Sequence, residues 1–132
     1  MKNQDIIEEK LILQEACFSY AKKIIESRQT MIPFGAFLNM KNEIMIEDPV
    51  FNKVVQQDRI EQLSNKLTRL TYVNRIKAWA ICFDGILNKS NIKDAICIEM
   101  HEASQESITN LYYPYQWDEH KVMFSEPIFE KE

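Results

Sequence analysis

The hydrophobic repeat of this chain changes once, and the change limits what it can fold into. From residue 75 to the C-terminus apolar residues recur at every second position; before it, two segments carry them at spacings of three and four. A period of two marks a strand with one buried face, and a spacing of three and four marks a helix. In RIKAWAICFDG, residues 75–85, Trp79, Ile81 and Phe83 face one way and Ala78, Ala80 and Cys82 the other. DAICIEMHE, ITNLYYPY and KVMFSE continue the alternation across the polar connections ILNKSNIK, ASQES and QWDEH. Such a run predicts an antiparallel meander of about three or four strands. The small residues on one face of its first strand let a helix lie close, whereas the large ones opposite need another cover.

The helical segments precede the meander. Residues 5–28 read as one long helix, with Asp5 as its cap and Glu8 as the reciprocal partner of a capping box. Ile6, Leu13, Cys17, Tyr20 and Ile24 form one apolar row, and Ile7, Leu11, Phe18, Ala21 and Ile25 a second, displaced by one position. At about 100° per residue the two rows merge into a stripe around roughly half the helix. Such width predicts burial on two sides, the second supplied by another helix or another subunit. MIPFGAFLN and EIMIED, either side of MKN, alternate as a hairpin should. Asp48-Pro49 then has the form of an N-cap followed by proline in the first turn. Val50 and Val54 are out of phase with Ile60, Leu63, Leu67 and Leu70, so either a break near 56–58 or a short helix leading into a longer one is expected. The order is helix, hairpin, helix, meander: one α+β domain over residues 1–132, with about five or six antiparallel strands and two main helices packed on them.

Composition narrows the function classes. The 132 residues are 45% hydrophobic and 27% charged, as expected of a folded globular domain with its own core. A net charge of −4, with no Lys/Arg run longer than two, argues against nucleic acid and anionic membrane as partners. No apolar run approaches the ~20 residues that span a bilayer. MKNQDIIEEKLILQEA places acids inside its apolar pattern, unlike a signal peptide. Cys17, Cys82 and Cys97 are odd in number and lie in apolar patterns, which predicts reduced, buried thiols in a cytoplasmic protein. With two histidines, His101 and His120, and no CxxC, a finger-type zinc site is not expected. The only glycines, Gly35 and Gly85, cannot make a phosphate-binding loop.

The element order resembles that of roadblock and profilin-like domains, which run helix, two strands, helix, three strands. That resemblance covers most of the chain as element order and implies dimerisation through a helix and a sheet edge. It departs at the tail EPIFEKE, too short and too proline-interrupted for a final helix. AWAICFDG, DAICIEMHE, LYYPY and VMFSEPIFE also look like the C-terminal half of small uncharacterised bacterial α+β proteins, to which no activity attaches.

Two clusters are candidate sites. In AICIEMHEA, Ile96, Ile98 and Met100 form one row and Cys97, Glu99 and His101 the other. Alternate strand residues stand ~6.6–6.8 Å apart, whereas zinc donors must lie within about 4 Å of one another. Glu99 and His101 can lean together, but Cys97 stands off unless a neighbouring strand contributes, with Asp84 or His120 as possible suppliers. The plainer reading is a core row backed by a wetter row. Asp84, Glu99 and His101 are therefore held as a minor polar site, and no catalytic, metal or cofactor-binding residue is assigned. In YYPYQWDEH, Leu111, Tyr113 and Tyr115 should pack inward, while Tyr112 and Trp117 cannot both face the same way as Tyr113. Some aromatic surface should therefore stay exposed, and such surface marks partner sites. Carboxylate pairs such as Asp118/Glu119 have no partner pattern, and no serine sits in a nucleophile elbow.

The expected function is a non-enzymatic protein-binding module that self-associates, using an apolar surface of Trp79, Ile81, Phe83, Tyr112 and Trp117. Its partner would be a second copy or another protein. The alternatives are a small metal-dependent or hydrolytic enzyme using Glu99 and His101, and a partner-specific inhibitor of the immunity-protein kind.

Overall fold

The computed structural model describes residues 2–47, 56–72, 76–88, 92–102 and 108–131. The elements run α1 (Lys2–Glu26), β1 (Phe34–Asn39), β2 (Ile44–Glu47), α2 (Gln56–Tyr72), β3 (Ile76–Asn88), β4 (Ile92–Glu102), β5 (Ile108–Asp118), β6 (Lys121–Phe124) and β7 (Ile128–Lys131). The strands form one antiparallel, open, seven-stranded sheet in the order β2-β1-β3-β4-β5-β6, with β7 also pairing β5. The fold is α+β, as the change of period predicts. The strand beyond the expected five or six is β7, formed by the tail. Four residues there need no helix propensity, because the ladder with Thr109–Tyr112 supplies the backbone partners.

Each helix covers a different face of the sheet. On one face Leu13, Cys17, Ala21 and Ile25 of α1 meet Ala78, Ala80 and Cys82 of β3 and Ile96, Ile98 and Met100 of β4. Small side chains on β3 leave room for α1 there, as predicted. On the other face Leu63 and Leu67 of α2 enclose Trp79 and Ile81. The large row of β3 thus finds its cover in α2 and needs no second subunit. Trp79 (5% exposed) and Ile81 (0%) drop out of the expected interaction surface for this reason. Gly35 makes the fit possible: a Cβ there would lie 3.0 Å from Leu67 Cδ1 and 3.4 Å from Leu63 Cδ2.

The broad stripe of α1 is used on the sheet as far as Phe18 and Tyr20. Phe18 stacks on Tyr113 at 4.0 Å and meets Phe124 edge-on, while Tyr20 packs against Phe34 on the opposite flank. One helix lying across strands from β1 to β6 therefore buries a wider stripe than a helix on a single strand pair. Leu11 and Ile12 remain 48% and 44% exposed.

Boundaries differ from expectation at three places. The first helix runs through Asp5 from Lys2, so Asp5 is not its cap. It ends at Glu26 with Arg28 at φ 61°, where Arg28 N–H donates to Ile25 O and Gln29 N–H to Ile24 O. These are the two bonds of a Schellman motif, with arginine at the left-handed position usually held by glycine. The β3–β4 hairpin continues past Gly85, with Ile86 to Asn88 paired to Asp94 to Ile92. Backbone pairing extends there beyond the sheet area the helices cover, leaving Ile86 66% exposed and the alternation illegible. Helix α2 runs without interruption from Gln56 to Tyr72; Asp48-Pro49, Val50 and Val54 lie outside the described residues. No described helix is long and apolar enough to cross a membrane.

Candidate functional site

The row Cys97, Glu99 and His101 lies on the α2 side of β4, opposite the buried Ile96, Ile98 and Met100. Register sets His101 across from Trp79, and the two rings stack at 3.7 Å with planes 8° apart. His101 Nε2 stands 3.4 Å from Glu99 Oε1. The imidazole thus lies between an indole face and a carboxylate, an arrangement that fixes the ring on the strand.

Cys97 does not join them. Its Sγ lies 3.8 Å from Ala95 O, and burial pushes its thiol up from 9.0 to about 12, with the Asp84 charge adding to the rise. A thiol so far above neutrality presents almost no thiolate, the form that attacks or binds metal. Gly85 is the reason the sulfur fits: a Cβ at that position would come within 2.8 Å of it. Cys17 is likewise pushed up to about 12 by burial, and Cys82 is raised well above its usual value. All three cysteines are buried and free.

Asp84 lies on the other face. It pairs with Ile96 and follows Ala80 and Cys82 on the α1 side, so the sheet itself separates it from Glu99 and His101. The trio Asp84, Glu99 and His101 is therefore not one site. Tyr115 donates to Asp84 Oδ1 at 2.7 Å, and burial of the carboxyl raises its pKa, an effect that this bond partly offsets. His120 is exposed in the Glu119–His120 turn between β5 and β6. Among the described residues no three His, Cys, Asp or Glu side chains gather as a metal site.

The aromatic cluster divides as β5 alternation requires. Leu111, Tyr113 and Tyr115 are buried on the α1 side, and Tyr112 is half-buried on the other, across from Cys97. Phe83 is half-buried and packs against the α2 cluster. Trp117, 37% exposed, faces the α1 side, with the Arg28 guanidinium 4.1 Å from its ring centroid.

A further, more apolar opening lies elsewhere, between α1 and the β5–β7 edge. It is a groove of about 390 Å³ floored by Met100 and Thr109, with Leu11 and Phe129 on its walls and Lys10 and Glu130 on its rim. Phe129 is 60% exposed. Beside the groove, Lys10 Nζ pairs at 2.6 Å with the buried Glu102 carboxylate and donates to Thr109 Oγ1 at 3.3 Å. Gln14 donates to Tyr113 Oη at 2.7 Å within the core. Two bonded polar pairs therefore hold α1 at a fixed distance from β4 and β5, and the groove is the space left outside them. The sequence does not reveal this groove, because EPIFEKE reads only as too short and too proline-interrupted for a final helix. The only signal was the apolar pair Ile128-Phe129 after Pro127. No family model, no curated protein and no solved structure matches this chain.

Proposed function

We propose that this protein is a non-enzymatic protein-binding module that associates with a second copy of itself. The observation that carries the reading is the groove between α1 and β7, where exposed Leu11 and Phe129 stand over an apolar floor. A lone chain gains by covering such surface at about 25 cal/mol per Å². A two-fold axis lays the Leu11 and Phe129 surfaces of two copies against each other, the self-complementary arrangement that closed symmetric dimers use.

An enzyme reading has less behind it. Its imidazole is half-buried and stacked on Trp79, its thiol is pushed up to about 12, and Asp84 is across the sheet. Sedimentation velocity at micromolar concentration tests the proposal. The expected species is twice the 15.7 kDa chain mass, returning to monomer in Phe129→Glu and Leu11→Glu. A wild-type monomer, or a dimer indifferent to both substitutions, overturns it.

A further inference from the structure

A second opening lies on the other face of the sheet, beside the part that α2 covers. It is a hollow of about 230 Å³ lined by Phe83, Cys97, Ile98, Glu99, Asn110 and Tyr112. Strand register explains its shape. Phe83, Cys97 and Tyr112 stand side by side on β3, β4 and β5, which sets one small side chain between two aromatic ones. Glu99 and Asn110 form the next row on this face, beside the buried Ile81. The volume is below the ~300–1,000 Å³ of sites for drug-sized ligands, so the hollow takes one small group.

Local packing keeps the Glu99 end of the hollow open. Cys97 Sγ lies 3.8 Å from Ala95 O, on the side away from Glu99. A Cβ at Gly85, which pairs with Ala95, would come within 2.8 Å of that sulfur and 3.5 Å of Phe83 Cε2. The sulfur and the edge of the Phe83 ring therefore lean into the space above Gly85. Ile98, whose side chain belongs to the core under α1, borders the hollow through its backbone.

The lining favours a cation. Ring faces carry the negative side of the aromatic quadrupole. Glu99 adds a half-buried carboxylate, with His101 Nε2 3.4 Å from its Oε1. Among the described residues no lysine or arginine lines the hollow, and burial keeps the Cys97 thiol protonated. Neighbouring strands lie ~4.7–4.9 Å apart, so the Phe83 and Tyr112 backbones are about 9.5 Å apart. A cation seated midway is within the ~6 Å of both ring centroids at which the attraction acts. One carboxylate and one amide do not replace the hydration of a bare metal ion or of an ammonium with three or more N–H donors. A methylated ammonium has few or no such donors and an apolar skin for the rings to cover.

We infer that this hollow binds a methylated ammonium group, seated over Cys97 between the Phe83 and Tyr112 rings with Glu99 as its counter-charge. Tyr112 acts through its ring, so its hydroxyl keeps its own bonds. The hollow is on the α2 side of the sheet and the groove of Leu11 and Phe129 on the α1 side. Binding here and self-association are therefore read by separate experiments.

The test is NMR titration of the full chain with tetramethylammonium chloride, with sodium chloride holding the ionic strength constant. The backbone amides of Cys97, Glu99, Asn110 and Tyr112 are expected to shift saturably. The neutral isostere, with a quaternary carbon in place of the nitrogen, binds far more weakly. Tyr112→Leu and Glu99→Gln each lower the affinity by about fivefold or more, the scale of one partly desolvated cation–π contact. Tyr112→Phe, which keeps the ring, restores it, and dispersed amide spectra verify that all three variants are folded. Choline and a peptide carrying trimethyl-lysine compare the two sources of the group, and the tighter of them names the source. No saturable shift up to about 50 mM tetramethylammonium, where even millimolar binding shows, overturns the inference. So does a neutral isostere that binds as well, affinity that survives either Tyr112→Leu or Glu99→Gln, or a loss as complete in Tyr112→Phe as in Tyr112→Leu.

Discussion

Replacing Gly35 by alanine tests the packing of α2 on β1 most directly. A methyl group there would lie 3.0 Å from Leu67 Cδ1 and 3.4 Å from Leu63 Cδ2, with Ala80 O 3.6 Å away. Leu67 is 0% exposed and Leu63 4%, so neither side chain has solvent to retreat into. Alanine gains about 0.5–1 kcal/mol over glycine by restricting the unfolded chain. Overpacking a filled core costs about 1–3 kcal/mol. The expected net loss is about 1 kcal/mol. Leu67→Ala alone removes a fully buried side chain and costs about 2–5 kcal/mol. In the double variant the new methyl enters the space Leu67 vacates, so the clash disappears and about 0.8 kcal/mol of methyl burial is recovered. The two losses then fall short of additivity by about 1–2 kcal/mol, within the range measured for touching residues. Urea unfolding followed by tryptophan fluorescence, to which Trp79 under α2 contributes, supplies the four stabilities; equal slopes confirm comparable unfolded states. Additivity to within about 0.5 kcal/mol, or a more stable Gly35→Ala, would refute the close approach of α2 to β1.

Three further outcomes follow from local geometry. Arg28→Gly relieves the left-handed backbone at φ 61° whereas Arg28→Ala keeps it, and both lose the Trp117 and Glu119 contacts; thermal melts should rank glycine above alanine by about 1 kcal/mol, and equal stabilities contradict the assigned helix end. Cys17 and Cys97, pushed by burial from 9.0 to about 12, bind their protons more tightly when folded. Their contribution is whole below pH 9.0 and is lost as pH climbs toward 12; unfolding curves across that window should fall less steeply in Cys17→Ala than in the wild type. Asp84 has a raised pKa because burial disfavours its charge, so its stabilising protonated form is lost as pH rises through the folded-state value. Asp84→Asn, which stays neutral and still offers Tyr115 an oxygen, should be the more stable protein at neutral pH and lose that advantage in acid; a constant difference at all pH values argues against the cause given.

The candidate site was legible strand by strand and not between strands. Ile96, Ile98 and Met100 were readable as core because alternation fixes which residues of one strand share a face. Asp84 was grouped with Glu99 and His101 because nothing in the sequence states the β3–β4 register. That register places Asp84 opposite Ile96 and Trp79 opposite His101, and so puts the carboxylate across the sheet from the imidazole. Trp79 and Ile81 read as surplus surface because the sequence does not state which sheet face each helix covers. Helix α2 crosses to the second face and buries them. Phe129 was missed because a four-residue edge strand carries too little alternation to show, and its partner, Thr109–Tyr112, lies far back in the chain.

The sequence alone determined the α+β class, the helix–hairpin–helix–meander order and the inward rows of β4 and β5. These follow from side-chain periodicity, a property of neighbouring residues. Tertiary structure decided which face each helix took, where β7 docked, and which side chains came to flank one opening. Those depend on register and on the close fit of helix to sheet, where one glycine against one leucine determines whether two layers meet. Such distances are set between residues far apart in the chain and leave no period behind.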